Sequence, residues 1–323
     1  MNLSTLTTTL AELHLSSCLI HQRGELTFEY YKDPSMADAI AKINSCTKSV
    51  LSALVCIAMD RGLLPDPRTP LSEFYPQISL DNHSGKQAIT LQHLLTMTSG
   101  MNWTEFSGQN SFPRMTRTPN WVNFVLDQPL SDVPGARFEY NSGNSQLLSA
   151  ILVQATGLST AQFAEAHLFG PLGIENYTWE SDPQGIHTGG FGLWLRPTDM
   201  LKFGQLFLQQ GKWDDKQLIS QERVLLSTQP VIPTAPPRRG WYGWHWWTDA
   251  YGEVAMDGEE TAPHSFAYFN AYGYGGQCIY VIPSMDTVVV LTNHRLKKEK
   301  IPLLVFRNHI APLLLEQLKT PHF

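Results

Sequence analysis

Charge of either sign is scarce in this sequence and nowhere concentrated. Lys and Arg number 23 and Asp and Glu 29 among 323 residues, a net charge of -6 with no long block of one sign. That excludes the basic footprint of a nucleic-acid binder and a polybasic membrane patch. Long apolar runs are missing too. The longest largely apolar stretch, Val50 to Met59, is about half of what a bilayer span needs. Only four cysteines occur, Cys18, Cys46, Cys56 and Cys278, with no CxxC pair and no dense framework, so they read as buried or incidental thiols. The start, MNLSTLTTTLAELHLSS, has neither the basic opening nor the apolar centre of a secretory signal. The expectation is a soluble cytoplasmic protein whose partner is a small molecule. Neither nucleic acid nor membrane is expected as a partner, and the sequence does not reveal the oligomeric state.

Familiar chemical motifs are absent as well. There is no GxSxG elbow; GLSTA at 157 to 161 comes nearest and lacks the second glycine. No HExxH, phosphate-binding P-loop or GxGxxG fingerprint appears. His83 and His93 stand alone in loop-like stretches and read as surface residues, not metal ligands. No metal and no cofactor is implied.

What is present is enough apolar residue, 42% of the chain, for a large core. Residues 14 to 31 read as two short strands around a turn at Gln22-Arg23-Gly24. From Ser45 to about Arg61 apolar positions continue nearly all round, and Gly62 supplies a stop: a buried central helix. Between 64 and 185, segments such as LQHLLTMTSG, NWVNFVLDQ and NSQLLSAILVQATG carry helical periodicity among Pro, Asn, Ser and Gly. Residues 195 to 211 give another amphipathic helix. The last third is first aromatic and glycine-rich, as strands and close-approach loops often are, then gives QCIYVIP and TVVVLTN around SMD as a hairpin, then a helix from about Pro302 to Leu318. This order predicts an α/β fold of the α+β type. Residues 1-63 and 186-323 would form the sheet domain, with 64-185 inserted as a mostly helical domain.

One short stretch invites chemistry. In NSCTKSVLSALV, residues 44 to 55, Lys48 sits at the head of the helix that otherwise looks built for burial. Ser45 lies one turn earlier, where a hydroxyl meets unpaired backbone N–H groups and the positive end of the helix dipole. The bland alternative is a lysine in the first turn that reaches solvent, and a bare S-x-x-K occurs about once by chance in a chain this long.

A second motif, FEYNSGNSQLL at 138 to 148, places Tyr140-Asn141-Ser142 and Asn144 92 or more positions after Lys48. Together with Ser45 and Lys48 it resembles the serine β-lactamase and penicillin-binding-protein superfamily, closest to its class C, esterase and 6-aminohexanoate-dimer hydrolase branch. The phrases LLTMTSGMNW (94 to 103), GGFGLWLRPTDMLKFGQLFLQQG (189 to 211) and GGQCIYVIPSMDTVVVLTN (275 to 293) are also similar to it, so the resemblance runs from about residue 40 to 295. It implies a β-lactamase/transpeptidase-like fold, an antiparallel sheet flanked by helices, and an acyl-enzyme mechanism.

The resemblance also implies roles. Ser45 would be the nucleophile, with Lys48 and Tyr140 a coupled base whose proton belongs to the pair. Backbone N–H groups of Ser45 and Gln277 would form the oxyanion hole. Two departures matter. Ser142 stands where many relatives carry Asn, and the K-T-G of the family has no lysine here. Tyr274-Gly275-Gly276 is the favoured counterpart, with Tyr272-Gly273 its rival. Without that cation the site is expected to take neutral esters or amides in preference to carboxylate-bearing lactams. Trp103 and aromatics such as Trp244, Trp246, Trp247 and Tyr272 would line an acyl pocket or pack in the core. Arg238 and Arg239 are the alternative carboxylate partners. β-Lactamase or DD-peptidase activity on the same fold, or a catalytically idle binding protein, are the other readings.

Overall fold

Every residue of Gln277–Ile282 and of Thr287–Thr292 is buried. Strands apolar on both faces must be covered on both faces, and that requirement organises the molecule. The structure, a computed structural model, describes residues 3–79, 85–234, 239–252, 265–293 and 301–319. Its main sheet has eight antiparallel strands: β1 (Ser17–Gln22), β2 (Glu25–Tyr31), β3 (Ile232–Pro233), β4 (Trp241–Tyr242), β5 (Trp247–Gly252), β6 (Ser265–Gly273), β7 (Gln277–Ile282) and β8 (Thr287–Thr292). They lie in the order β2-β1-β8-β7-β6-β5-β4-β3, so the two ends of the chain meet at the sheet centre. The turn between β1 and β2 is Arg23-Gly24, both with positive φ (52° and 83°), the two-residue geometry that matches strand twist.

The two faces separate by alternation. Ile279, Val281, Val288 and Val290 join the larger core, while Cys278, Tyr280, Val289 and Leu291 join the smaller. Helix α1 (Leu3–Glu12) and the C-terminal helical run of residues 301–319 cover the second face through Leu6, Leu10, Phe306, Ile310 and Leu314. The first face is covered by α2 (Thr47–Asp60), α3 (Ser142–Thr156) and α4 (Pro197–Leu208). Residues 64–185 contribute α3 and the short helices Leu91–Leu95, Ser111–Met115, Trp121–Leu126 and Thr160–Ala164. One continuous core joins Leu19, Leu54, Leu148, Phe163 and Val288, so this helical stretch packs directly on the sheet layer.

Helix α2 is buried from Thr47 through Met59 and ends where Gly62 takes φ 68°. It carries the buried Lys48 at its first turn. This is the antiparallel, helix-flanked β-lactamase/transpeptidase-like architecture.

Candidate active site

The chain reverses sharply before α2. Asn44 adopts φ 51°, a left-handed conformation that asparagine tolerates better than most residues. It opens a 3-10 turn, Asn44–Cys46, that carries half-buried Ser45 at the head of the helix. Two bonds fix this turn from inside: Thr47 Oγ1 donates to the Asn44 carbonyl at 2.6 Å, and the Cys46 thiol donates to the Gln277 carbonyl at 3.2 Å. Lys48 is 1% exposed, so it does not reach solvent. A buried ammonium must be satisfied where it sits. Its Nζ donates to Gly190 O at 2.8 Å, to Ser142 Oγ at 2.9 Å and to Ser45 Oγ at 3.4 Å, and lies 4.7 Å from the centroid of the Tyr140 ring.

Tyr140 is held by aromatic packing, stacked on Trp247 (centroids 5.7 Å) and edge-on to Tyr242 (6.5 Å). Asn141 caps α3, its Oδ1 accepting from the N–H groups of Gly143 (2.7 Å) and Asn144 (3.2 Å). The cap sets Ser142 at the first position of the helix, facing Lys48. Gly190 completes the ring of contacts. A methyl group on its Cα would lie 3.0 Å from Lys48 Nζ and 3.2 Å from Ser142 Oγ, so any larger residue would crowd the ammonium and its acceptor.

One residue of the site had no place in the sequence reading. Glu105 accepts from Trp103 Nε1 at 2.8 Å and from the Ser142 N–H at 3.2 Å, both at Oε2, and its Oε1 accepts the Ser142 hydroxyl. A lone carboxylate between Trp103 and Phe106 was the only available signal, and without spacing to another motif it was mute.

The β6–β7 hairpin forms the other wall. Asn44 Nδ2 donates to Tyr274 O at 2.6 Å, one residue from Ser45, and a methyl on Gly273 would lie 2.3 Å from Ile43 O. Gly276, at φ 96°, ends the turn, and Gln277 opens β7 opposite Gly273. Tyr272 and Tyr274 diverge: Tyr272 packs against the core beneath α1 and the C-terminal helices. Tyr274 is 49% exposed, 6.5 Å from the ring of Phe106. Of the two tyrosines, Tyr274 is the one whose backbone carbonyl meets Asn44 beside Ser45.

The structure brings Ser45, Lys48, Tyr140, Ser142 and the Tyr274–Gln277 turn together. It does not bring Asn144 to them. That side chain is fully buried, its Oδ1 accepting from Ser99 Oγ at 2.9 Å inside the helical layer. Trp103 is 2% exposed, edge-on to Phe124, and is tied to the site by its bond to Glu105. Trp244 and Trp246 are core residues, the latter stacked on Phe203, and Trp247 backs Tyr140. The aromatic rim comes instead from Phe106, Phe112, Phe191 and Tyr274, linked ring to ring at 5.1 to 6.5 Å. Arg239 is exposed; Arg238 and His83 lie outside the described residues, and His93 is tied into a capping box with Thr90. Among the described residues no three His, Cys, Asp or Glu side chains gather where a metal ion could sit, and no helix is long and apolar enough to cross a membrane.

Two neighbours are silenced by burial. It pushes the Cys46 thiol well above its ordinary value, with Cys278 adding to the rise, so Cys46 stays protonated and is not the competing nucleophile. Burial, helped by the charge of Lys48, lowers His245 to about 3. The ring accepts from Ser145 Oγ at Nε2 (3.0 Å) and donates from Nδ1 to Leu95 O (2.9 Å), while the His245 carbonyl accepts from Ser49 Oγ (2.7 Å). It ties α2 to α3 as a neutral group. The unfolded chain binds a proton here below about 6.5 and the folded chain does not, so stability present near neutral pH is lost on acidification. Urea midpoints between pH 6 and 4 should fall with a contribution approaching about 1.4 kcal/mol per pH unit from this group. His245→Asn suits the positive φ of 60° and should lose stability at pH 7 while its pH slope flattens by about one proton. An unchanged slope would show that His245 is not buried neutral.

Residues 15–305 match the family model described as Beta-lactamase. A 6-aminohexanoate-dimer hydrolase of Paenarthrobacter ureafaciens is 22% identical over 303 residues, an alignment covering 87% of this chain and 73% of that protein. Among solved structures, a Bacillus anthracis protein provisionally described as a 6-aminohexanoate-dimer hydrolase superposes with TM-score 0.78 at 20% identity, covering 98% of this chain and 82% of that one. A class C β-lactamase of Rhodobacter sphaeroides superposes with TM-score 0.66 at 16% identity, covering 98% of both chains.

Proposed function

The chain belongs to the Beta-lactamase family, and we propose that it is a serine hydrolase cleaving esters or amides of small molecules through an acyl-enzyme on Ser45. The observation that carries this reading is the buried Lys48 Nζ, in contact with Ser45 Oγ and over the ring of Tyr140. An ammonium taken out of water at this cost is explained by a task. Ser45 Oγ attacks the acyl carbon, and its proton passes to the Lys48–Tyr140 pair. The N–H groups of Ser45 and Gln277 receive the negative charge that develops on the carbonyl oxygen. Collapse breaks the bond to the leaving alcohol or amine, which takes its proton from Tyr140. Water then enters, loses a proton to the same pair, and releases the acid and free Ser45. No cofactor takes part.

Substrate charge follows from the hairpin and from Glu105. A carboxylate beside the acyl group would give up water and meet the Tyr274 phenol and the Glu105 carboxylate, with no cation in the K-T-G place. Neutral acyl groups avoid that cost and suit the Phe106, Phe112, Phe191 and Tyr274 rim. Relatives named as a 6-aminohexanoate-dimer hydrolase and as an esterase of Burkholderia gladioli support amide and ester substrates for this site. We expect turnover of p-nitrophenyl butyrate and little or none of nitrocefin, with Tyr274→Lys shifting the ratio of kcat/KM toward nitrocefin. Wild-type preference for nitrocefin would defeat this substrate assignment.

A further inference from the structure

Lys48 can accept the proton of Ser45 only after losing one of its own, and the contacts around it leave few destinations. Of the three oxygens that accept from Nζ, the Gly190 carbonyl is no base, and the Ser45 hydroxyl is the group to be deprotonated. The Ser142 hydroxyl leads onward: it accepts from Lys48 Nζ at 2.9 Å and donates to Glu105 Oε1. We propose that Glu105, acting through the Ser142 hydroxyl, is the proton store that frees Lys48 to work as a base. The inference rests on the serine-hydrolase reading above and adds a positioning residue and a relay to it.

The step balances within the site. The Ser142 Oγ–H bond breaks and its proton joins Glu105 Oε1, while a proton leaves Lys48 Nζ for Ser142 Oγ. An ammonium and a carboxylate become an amine and a carboxylic acid, with no change in net charge. The Lys48 and Ser142 ends of this path are enclosed, so the proton passes from hydroxyl to carboxylate without entering bulk water. The amine takes the proton of Ser45 as Oγ attacks. Once that proton has gone to the leaving group, the one on Glu105 returns by the same path.

Three details fit a relay better than an ordinary cap. Trp103 Nε1 and the Ser142 N–H both hold Oε2, which leaves Oε1 for the hydroxyl. The first turn of the 15-residue helix α3 supplies a field that keeps the carboxylate in place. Ser142 stands where the resemblance puts asparagine. A hydroxyl accepts and donates on one atom and can pass a proton; an amide accepts at Oδ1, donates at Nδ2 and cannot. The serine at this position thus acquires a reason.

The other titratable groups facing Lys48 are Tyr140, His245 and Cys46, the last two uncharged at neutral pH. The test is the rate of fluorophosphonate labelling of Ser45, followed by intact mass between pH 6 and 9. Wild type should label with a nearly flat profile. Glu105→Gln and Ser142→Asn should each label about 10²-fold more slowly at pH 7. Both rates should climb toward wild type as pH rises, because Lys48 must now yield its proton to solvent. Ser142→Thr retains the hydroxyl and should retain the flat profile. Equal losses at every pH in both variants would overturn the relay and leave Glu105 a structural cap. Absence of any label on Ser45 in wild type would overturn the hydrolase reading and the relay with it.

Discussion

Lys48→Ala should slow acylation of Ser45 by about 10³ to 10⁴-fold, Tyr140→Phe by a comparable factor, and the double variant by little more than either. The packing explains why. Lys48 Nζ lies over the Tyr140 ring at 4.7 Å and 3.4 Å from Ser45 Oγ, the arrangement the proposed coupled base requires to draw one proton from one nucleophile. Removing either ends the transfer, and removing both ends the same transfer once. Groups that act as a unit show this strong non-additivity. Stopped-flow measurement of the p-nitrophenol burst on all four proteins checks it. Losses that simply add would assign the two residues independent tasks.

Ser45→Ala should abolish turnover of the same ester, a fall of about 10⁶-fold to the level of binding and oxyanion stabilisation alone. The change deletes one hydroxyl from a half-buried position whose turn is held by other atoms, the Thr47 and Cys46 side chains. The fold should therefore survive, with a urea midpoint close to wild type, and the loss can be read as chemistry. Adding Lys48→Ala to Ser45→Ala should cost nothing further in rate. It should change stability, because Lys48 is fully enclosed and the two acceptors left in that background, Ser142 Oγ and Gly190 O, would lose their donor.

The parts of this molecule that the sequence announced are those with strong local patterns. The SMD hairpin, the Arg23-Gly24 turn and the all-round apolar helix after Ser45 each carry their own signal, and each is where it was expected. Helix α1 and the two-residue strand β3 were not seen. Their conformation is fixed by tertiary packing, Leu6 and Leu10 against the sheet in one case and pairing with β4 in the other. The site divides in the same way. Ser45, Lys48 and Tyr140 stand in motifs, so a resemblance could find them. Glu105 is brought in by a loop 37 residues away along the chain from Ser142, and no spacing rule points to it, while Gly190 stood in the GGFGLWLR phrase without a contact to Lys48 being legible there. Asn144 illustrates the opposite error. It lies two residues past Ser142, and on a helix that spacing turns the side chain toward Ser99 and away from Lys48. The tryptophans were ambiguous for a plain reason: an aromatic residue reads alike in a core and on a pocket wall.

The central claim is that Ser45 forms the acyl-enzyme, and one measurement tests it most directly. The protein is incubated with a fluorophosphonate, digested, and mapped by mass spectrometry. A single adduct on Ser45, absent from Ser45→Ala and much slower to form in Lys48→Ala, is the predicted result. An adduct that persists in Ser45→Ala, or that maps to Cys46, would contradict the account.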